Sequence, residues 1–256
     1  DGYYEKTAIR KRPGTVGICA AIMHRYGVDA VPHLICGGFT REDTENALID
    51  LNFLNVDNVL VIRGDAMQFE SKFNPTEGGH KYAVDLVHQV ASMNRGVYLD
   101  ANIENGTRTD FCVGVAGYPE KHFESPNMED DLYYTKAKID AGASYIVTQM
   151  FYDNQRFFQY LDQCRDYGID VPIVPGLKPI TRAYQLKSLP RRFYVNLPEE
   201  LVKAVQAAKN EEAVRQVGIE WAIQQCRELK ERGVPCLHFY TMGDADTIKR
   251  IVGAIA

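Results

Sequence analysis

The sequence predicts an α/β protein built as a (β/α)8 TIM barrel, and three observations point there. A short β-rich run, a polar or glycine-containing loop and a segment of helical periodicity recur six times along the chain. The runs are rich in Val and Ile and often apolar on both faces, the pattern of parallel strands covered by helices. Polar residues stand just after several different strands: His33, Arg63 and Asp65, Tyr118, Gln149, Lys178 and Thr241. A barrel collects its active site in that way, from the C-terminal ends of many strands. An open doubly wound sheet would gather them at one switch point and usually show an early G-x-G-x-x-G turn, which this sequence lacks.

Taken in order, "AVPHLIC" (30–36) precedes Gly37-Gly38 and the helical "TREDTENALIDLNFLN". There Thr40 and Asp43 make a capping-box variant, with Ala47, Leu48, Leu51 and Leu54 on one apolar face. "NVLVIRG", with its strand over Val59 to Arg63, precedes a polar loop and the helix "KYAVDLVHQVASMN". "DFCVGVAGYPE" leads to "NMEDDLYYTKAKIDAG", "SYIVTQMFYD" to "NQRFFQYLDQCRDYG", and "VPIVPGLKPI" to "RAYQLKSL". The long helix "EEAVRQVGIEWAIQQCRELKERG" precedes "PCLHFYT", which runs into "DADTIKRIVGAIA". Loops at 66–79 and 95–110 are long enough to line an active site.

A complete barrel has eight such units and a typical length of about 250 residues. Six units are countable here, and "TVGICAAIMHRYG" reads as the tail of a second helix. The expectation is therefore one domain over 1–256 that is N-terminally incomplete, its first two strand–helix units (about 60 residues at a typical barrel's length per unit) apparently missing. No linker-like segment divides the chain.

Composition narrows the function classes. The 256 residues are 45% hydrophobic and carry a formal net charge of -5, which argues against a nucleic-acid or anionic-membrane partner. The basic cluster Arg10, Lys11 and Arg12 is too short to change this and reads as a solvated turn. No apolar run reaches the length of a membrane span, and "DGYYEKTAIRKRPG" lacks the apolar stretch of a signal peptide. Six scattered cysteines form no CxxC pair, so they read as buried thiols of a cytoplasmic protein, with no metal site.

Several motifs carry chemistry. In "NVLVIRGDA", Arg63 and Asp65 straddle Gly64 at the end of a buried strand, as an ion pair or as groups aimed at a ligand. His33, in "VPHLIC", is a satisfied core histidine or a ligand contact. "AGYPEKHFESP" (116–126) carries Tyr118 and then sets two glutamates, Lys121 and His122 between two prolines that stiffen the loop. Gln149 ends an apolar strand with an amide that both donates and accepts, suited to a heteroaromatic ring. In "DDLYYTKAKID", Asp131, Tyr134 or Thr135, and Lys138 share a helix face, either solvated or facing a ligand. Gly78-Gly79 precede a helix whose N-terminal N–H groups suit a phosphate.

Together the ordered blocks "VPHLIC", "NVLVIRGD", "VAGYPEKH", "KAKIDAGASYIVTQMFYD", "VPIVPGLKPIT" and "LHFYT", from about Val31 to Thr241, resemble the methylenetetrahydrofolate reductase family in its bacterial, catalytic-domain-only form. The resemblance implies a barrel holding FAD, reduced in ping-pong fashion by NADH or NADPH. It then reduces 5,10-methylenetetrahydrofolate to 5-methyltetrahydrofolate, in one-carbon metabolism and methionine biosynthesis. A homo-oligomer is expected. By position, the resemblance implies FAD contacts at His33, Arg63, Gly64, Asp65, Ala83, Tyr118, His122, Ser125, Asp131 and Lys138. It implies catalytic roles for Asp65 and Gln149, and folate contacts at Asp65, Gln149 and Gln185, with Gln149 serving the nicotinamide as well.

The sequence departs from the family in three places. Tyr134 and Ala137 stand where some relatives have Asn and Arg. Asp244 stands where some relatives use an arginine on the folate side, so that role is not carried over. The family's general-acid glutamate, in an "E-F-F-P-P"-like first strand, has no counterpart in this sequence. A flavin- or folate-binding subunit of a larger complex, without independent reductase activity, is the alternative reading.

Overall fold

Gly27, at φ 62°, shows how local chemistry sets the first boundary: it closes α1 (Thr15–Tyr26) in the left-handed conformation and donates its N–H to the Met23 carbonyl. The structure is a computed structural model that describes residues 13–65 and 73–256. The Arg10–Arg12 turn and the first part of the 66–79 loop lie outside the described residues. The chain divides after Gly114 into two compact units.

In the first unit, β1 (His33–Ile35) pairs in parallel with β2 (Asn58–Ile62), in the register His33 with Leu60 and Ile35 with Ile62. Val59, Leu60 and Val61 are all buried, so β2 is covered on both faces as its composition predicts. The strand begins and ends one residue earlier than the Val59–Arg63 reading. Between these strands lies α2 (Arg41–Phe53), and its capping box is present. Thr40 Oγ1 accepts the Asp43 N–H at 3.0 Å while Asp43 Oδ2 accepts the Thr40 N–H at 3.0 Å.

The buried face of α2 differs from the expected one. Leu48 and Leu51 are fully buried, but Leu54 is 39% exposed, and Thr44 and Glu45 complete the inward face. Glu45 is tolerated there because its Oε2 accepts the Leu99 N–H at 2.8 Å. After β2 comes α3 (Ala83–Asn94), which buries Leu86, Val87, Val90 and Met93. Asn94 at its end holds the start of the next strand, accepting from Phe111 N–H at 2.9 Å and Thr109 Oγ1 at 2.7 Å.

The next strand, β3 (Cys112–Gly117), carries the chain into the second unit, which continues with α4 (Met128–Asp140), β4 (Tyr145–Met150), α5 (Asn154–Asp166) and β5 (Ile173–Leu177). Three helices follow: α6 (Gln185–Phe193), α7 (Glu199–Ala207) and α8 (Glu211–Glu231). The unit ends with β6 (His238–Phe239), much shorter than "PCLHFYT", and α9 (Ala245–Ile255). β4, β5 and β6 are parallel neighbours in chain order. The parallel pairs β1–β2, β4–β5 and β5–β6, with helices between the strands, bear out the α/β class.

Helix α7 has no counterpart in the periodicity reading. Its start is nonetheless signalled by Pro198 followed by Glu199 and Glu200, an acidic first turn. Its Leu201 and Val205 join Met150, Tyr152, Ile180, Leu189, Val195 and Val214 in one apolar core. Helix α8 is fastened to the turn after β4 and to the start of α5 through polar bonds: Trp221 Nε1–H donates to the Tyr152 carbonyl at 3.0 Å, and Asn154 Nδ2 donates to Glu228 at 2.7 Å.

Candidate functional site

In the first unit Arg63, Gly64 and Asp65 follow the C-terminal end of β2, whereas His33 is the first residue of β1 and so stands at that strand's start, not beyond its end as expected. Pairing continues past both strands, with the Cys36 N–H donating to the Arg63 carbonyl at 3.1 Å. The Arg63 guanidinium lies 5.3 Å from the centre of the Phe73 ring, a cation–π distance. Gly64 has φ 89°, so a left-handed turn takes the chain off the strand, a conformation that side chains resist. Asp65 follows, exposed, and His33 is exposed on β1. Burial pushes the Cys36 thiol up to about 11, with the Asp85 carboxylate adding and Arg63 opposing. Ala83 is the first residue of α3, where backbone N–H groups have no intrahelical partner.

In the second unit the loop after β3 is a built structure. Tyr118 and His122 pack edge to face, ring centres 4.7 Å apart. Lys121, at φ 62°, folds its amine back onto the Ser125 carbonyl at 2.8 Å. The Glu124 N–H donates to His122 Nδ1 at 3.2 Å, so Nδ1 is the bare nitrogen and Nε2 carries the proton. Ser125 Oγ donates to Asp131 Oδ1 at 3.0 Å, and both residues are buried. Glu120 holds the loop's other side through Asn196, whose N–H donates at 2.9 Å.

The helix face on α4 is an inward one. Asp131 is 4% exposed and Thr135 1%, whereas Tyr134 is 60% exposed, so Thr135 occupies the shared face. Lys138 Nζ donates to the Ala116 carbonyl on β3 at 2.6 Å. Burial raises the Asp131 carboxyl against the opposing pull of Lys138, and it lowers the Lys138 amine to about 8 against the pull of Asp131. Asp131 Oδ2 is buried with no hydrogen-bond partner among the described residues. Gly117 lies under this face because the Tyr160 hydroxyl and an Ile146 methyl occupy the space a Cβ would need.

Gln149 and Gln185 both spend their carbonyl oxygens within the unit. Gln149 Oε1 accepts the Met150 N–H at 3.0 Å. Gln185, buried at the start of α6, accepts the Thr181 and Arg182 N–H groups at 2.7 and 3.1 Å. It lines a cleft of about 390 Å³ with Lys178, Tyr184, Arg215, Tyr240 and Asp244. Asp244 caps α9, accepting from Thr247 N–H at 3.1 Å and Oγ1 at 2.8 Å, and these bonds hold its carboxyl low. Burial lowers the Lys178 amine, offset by Asp244. Tyr184, Arg215 and Tyr240 escaped the sequence reading, although the Asp244-x-x-Thr247 cap is a legible signal for this corner. Among the described residues no group of three His, Cys, Asp or Glu forms a metal site, and no helix is long and apolar enough to cross a membrane.

Comparisons with known proteins add to this geometry. A family model described as methylenetetrahydrofolate reductase matches residues 4–256. The 5,10-methylenetetrahydrofolate reductase of Pectobacterium carotovorum is 32% identical over 239 residues, covering 92% of this chain and 72% of that protein. Methylenetetrahydrofolate reductase (NADH) 1 of Arabidopsis thaliana is 34% identical over 238 residues, covering 89% of this chain. The chain spans only 38% of the length of that plant relative. Among solved structures, a Clostridium thermocellum protein described as binding two copies of 5-methyl-5,6,7,8-tetrahydrofolic acid superposes with a TM-score of 0.51. It covers 92% of this chain and 76% of its own at 13% identity, a likeness of fold alone.

Proposed function

The chain belongs to the methylenetetrahydrofolate reductase family, and from that premise we propose that it reduces 5,10-methylenetetrahydrofolate to 5-methyltetrahydrofolate, with NADH or NADPH as reductant and FAD as carrier. The observation that carries this reading is the extent of the family match, residues 4–256. The proposed frame is a (β/α)8 barrel, to which the parallel strand–helix alternation of each unit is suited. FAD, when bound, supplies hydride transfer from the nicotinamide to the folate's methylene carbon. Use of one face by two substrates in turn makes the scheme ping-pong.

The residues present fit such a cofactor in kind. In the first unit, Gly64 carries no Cβ beside the strand ends, and Arg63 offers a cation to an anionic group. The first N–H groups of α3, at Ala83, offer the same sign. In the second unit, His122 Nδ1 accepts from the Glu124 N–H, which puts the neutral ring's proton on Nε2. Asp131 Oδ2 is an orphaned buried acceptor, which a ligand hydroxyl would satisfy. Ser125 and Lys138 are spent on internal bonds, so their part is to hold Asp131 and the end of β3 in place.

Toward the substrates, Asp65 is exposed and suited to accept from the N–H edge of a pterin. Gln149 and Gln185 each commit Oε1 within the chain, so their amide nitrogens are the proposed donors. The test is spectroscopic. The full-length protein should carry a flavin spectrum that bleaches anaerobically with NADH or NADPH and recovers on adding 5,10-methylenetetrahydrofolate. Absence of flavin, or a flavin that neither reductant bleaches, would leave only a binding subunit.

A further inference from the structure

A second cavity, wholly within the first unit, takes no part in the chemistry above. It measures about 330 Å³ and is lined by Arg41, Glu45, His80, Asp85, Gln89 and Leu99 among others. His80 is 6% exposed and Gln89 8%. Gln89 Nε2 donates to the Arg41 carbonyl at 2.9 Å, and a carbonyl can only accept, so the amide's orientation is fixed. Its Oε1 must then be the atom that meets His80 Nε2, which makes Nε2 the protonated nitrogen. In the neutral ring His80 Nδ1 is then a lone-pair acceptor, buried and without a partner among the described residues. A buried acceptor left unmet is costly, so the site calls for a donor.

The surrounding charges say which kind. Glu45 and Asp85 each commit one carboxylate oxygen to a backbone N–H, of Leu99 at 2.8 Å and Tyr82 at 3.1 Å. Each keeps a second oxygen and its negative charge. Against them stands Arg41, exposed and so screened by solvent, and the exposed His88 imidazole also lines the cavity. Val97 and Leu99 supply an apolar wall. No three metal-ligating groups come together among the described residues, which favours an organic cation over a metal ion.

We propose that this cavity binds a small aliphatic primary ammonium compound, whose N–H donates to His80 Nδ1 and whose charge is set against Glu45 and Asp85. The site stands apart from the reductase reading, so neither depends on the other.

The test uses the full-length protein and ligand-observed NMR titration with n-pentylammonium. Saturable binding is expected, with pentanoate, the anionic counterpart, failing to compete. Norleucine, which adds a carboxylate beside the same ammonium, separates the sources: tighter binding identifies an amino acid, weaker binding a simple amine. His80→Phe should abolish binding. Asp85→Asn keeps an acceptor for the Tyr82 N–H and removes the charge, and it should weaken binding about tenfold if the charge contributes as much as a close pair in a partly buried site. Because that variant preserves the helix cap, it serves even if His80→Phe fails to fold. No saturable n-pentylammonium binding (a cavity that holds only water), equal binding of pentanoate, or unchanged affinity in Asp85→Asn would overturn the proposal.

Discussion

Ser125 Oγ donates to Asp131 Oδ1 at 3.0 Å across two buried side chains, so the loop after β3 is latched to the first turn of α4. The acceptor is a carboxylate, and its other oxygen already lacks a hydrogen-bond partner among the described residues. Ser125→Ala removes a donor that burial makes hard to replace. The expected loss is about 1–3 kcal/mol of stability by urea unfolding, the range for stranding a buried polar group. Ser125→Thr, which keeps the hydroxyl, should recover part of it. A Ser125→Ala protein as stable as the parent would mean that the latch contributes nothing.

Lys138 makes stability depend on pH in a direction that can be worked out. Burial lowers its amine from 10.5 to about 8, while Asp131 opposes the shift. Between about pH 8 and 10.5 the unfolded chain therefore binds more protons at this position than the folded one, so this residue's contribution to stability rises with pH. Below pH 8 the full cost of burying the charge is borne; above 10.5 it is gone. Cys36, Cys164 and Cys226, each raised to about 11, act with the opposite sign from about pH 9 upward. The informative quantity is thus the difference between the parent and Lys138→Met. Urea unfolding at pH 7.5 and 9.5 should show that difference shifting by about 2 kcal/mol in favour of the parent at the higher pH. A difference independent of pH would refute the assignment.

Local patterns made much of this legible in the sequence. The Thr40–Asp43 box needs only four residues, and the Asp131–Thr135–Lys138 face follows from helical spacing. What stayed hidden depends on partners far along the chain. Glu45 is inward-facing because Leu99 supplies an N–H to it, 54 residues away. Gln89 is buried because its amide meets the Arg41 carbonyl, 48 residues away, and that bond also sets which amide atom faces His80. Gln149 was legible as a polar group at the end of an apolar strand, and Gln185 only through the family resemblance. Neither signal could show that their oxygens are already committed to backbone N–H groups.

Gly64 separates backbone from packing. An added Cβ would sit 3.5 Å from Ile35 Cβ, an ordinary contact, so space is not the obstacle. The φ of 89° is. Gly64→Ala should therefore cost about 1–2 kcal/mol, the penalty of placing an L side chain in left-handed backbone. Gly64→Asn, which tolerates that region better, should cost less than alanine despite its larger side chain. Urea unfolding of both variants orders them. If asparagine proves the worse, crowding at the strand ends is the cause and the backbone argument fails.

In the proposed reaction Asp65 is a residue whose replacement should alter the chemistry far more than the stability. Its side chain is exposed at the end of β2, so Asp65→Asn should change stability by no more than about 0.5 kcal/mol. In the proposed reaction the carboxylate accepts from the pterin's N–H edge, whereas the amide that replaces it presents one acceptor and one donor. The variant should retain flavin and be reduced by NADH or NADPH at close to the parent rate. Its reoxidation by 5,10-methylenetetrahydrofolate should slow by about tenfold or more, the value of one charge-assisted hydrogen bond. Rapid-mixing measurements of the two half-reactions, made separately and anaerobically, read these rates directly. Equal slowing of both would assign Asp65 to the cofactor alone and remove it from folate recognition.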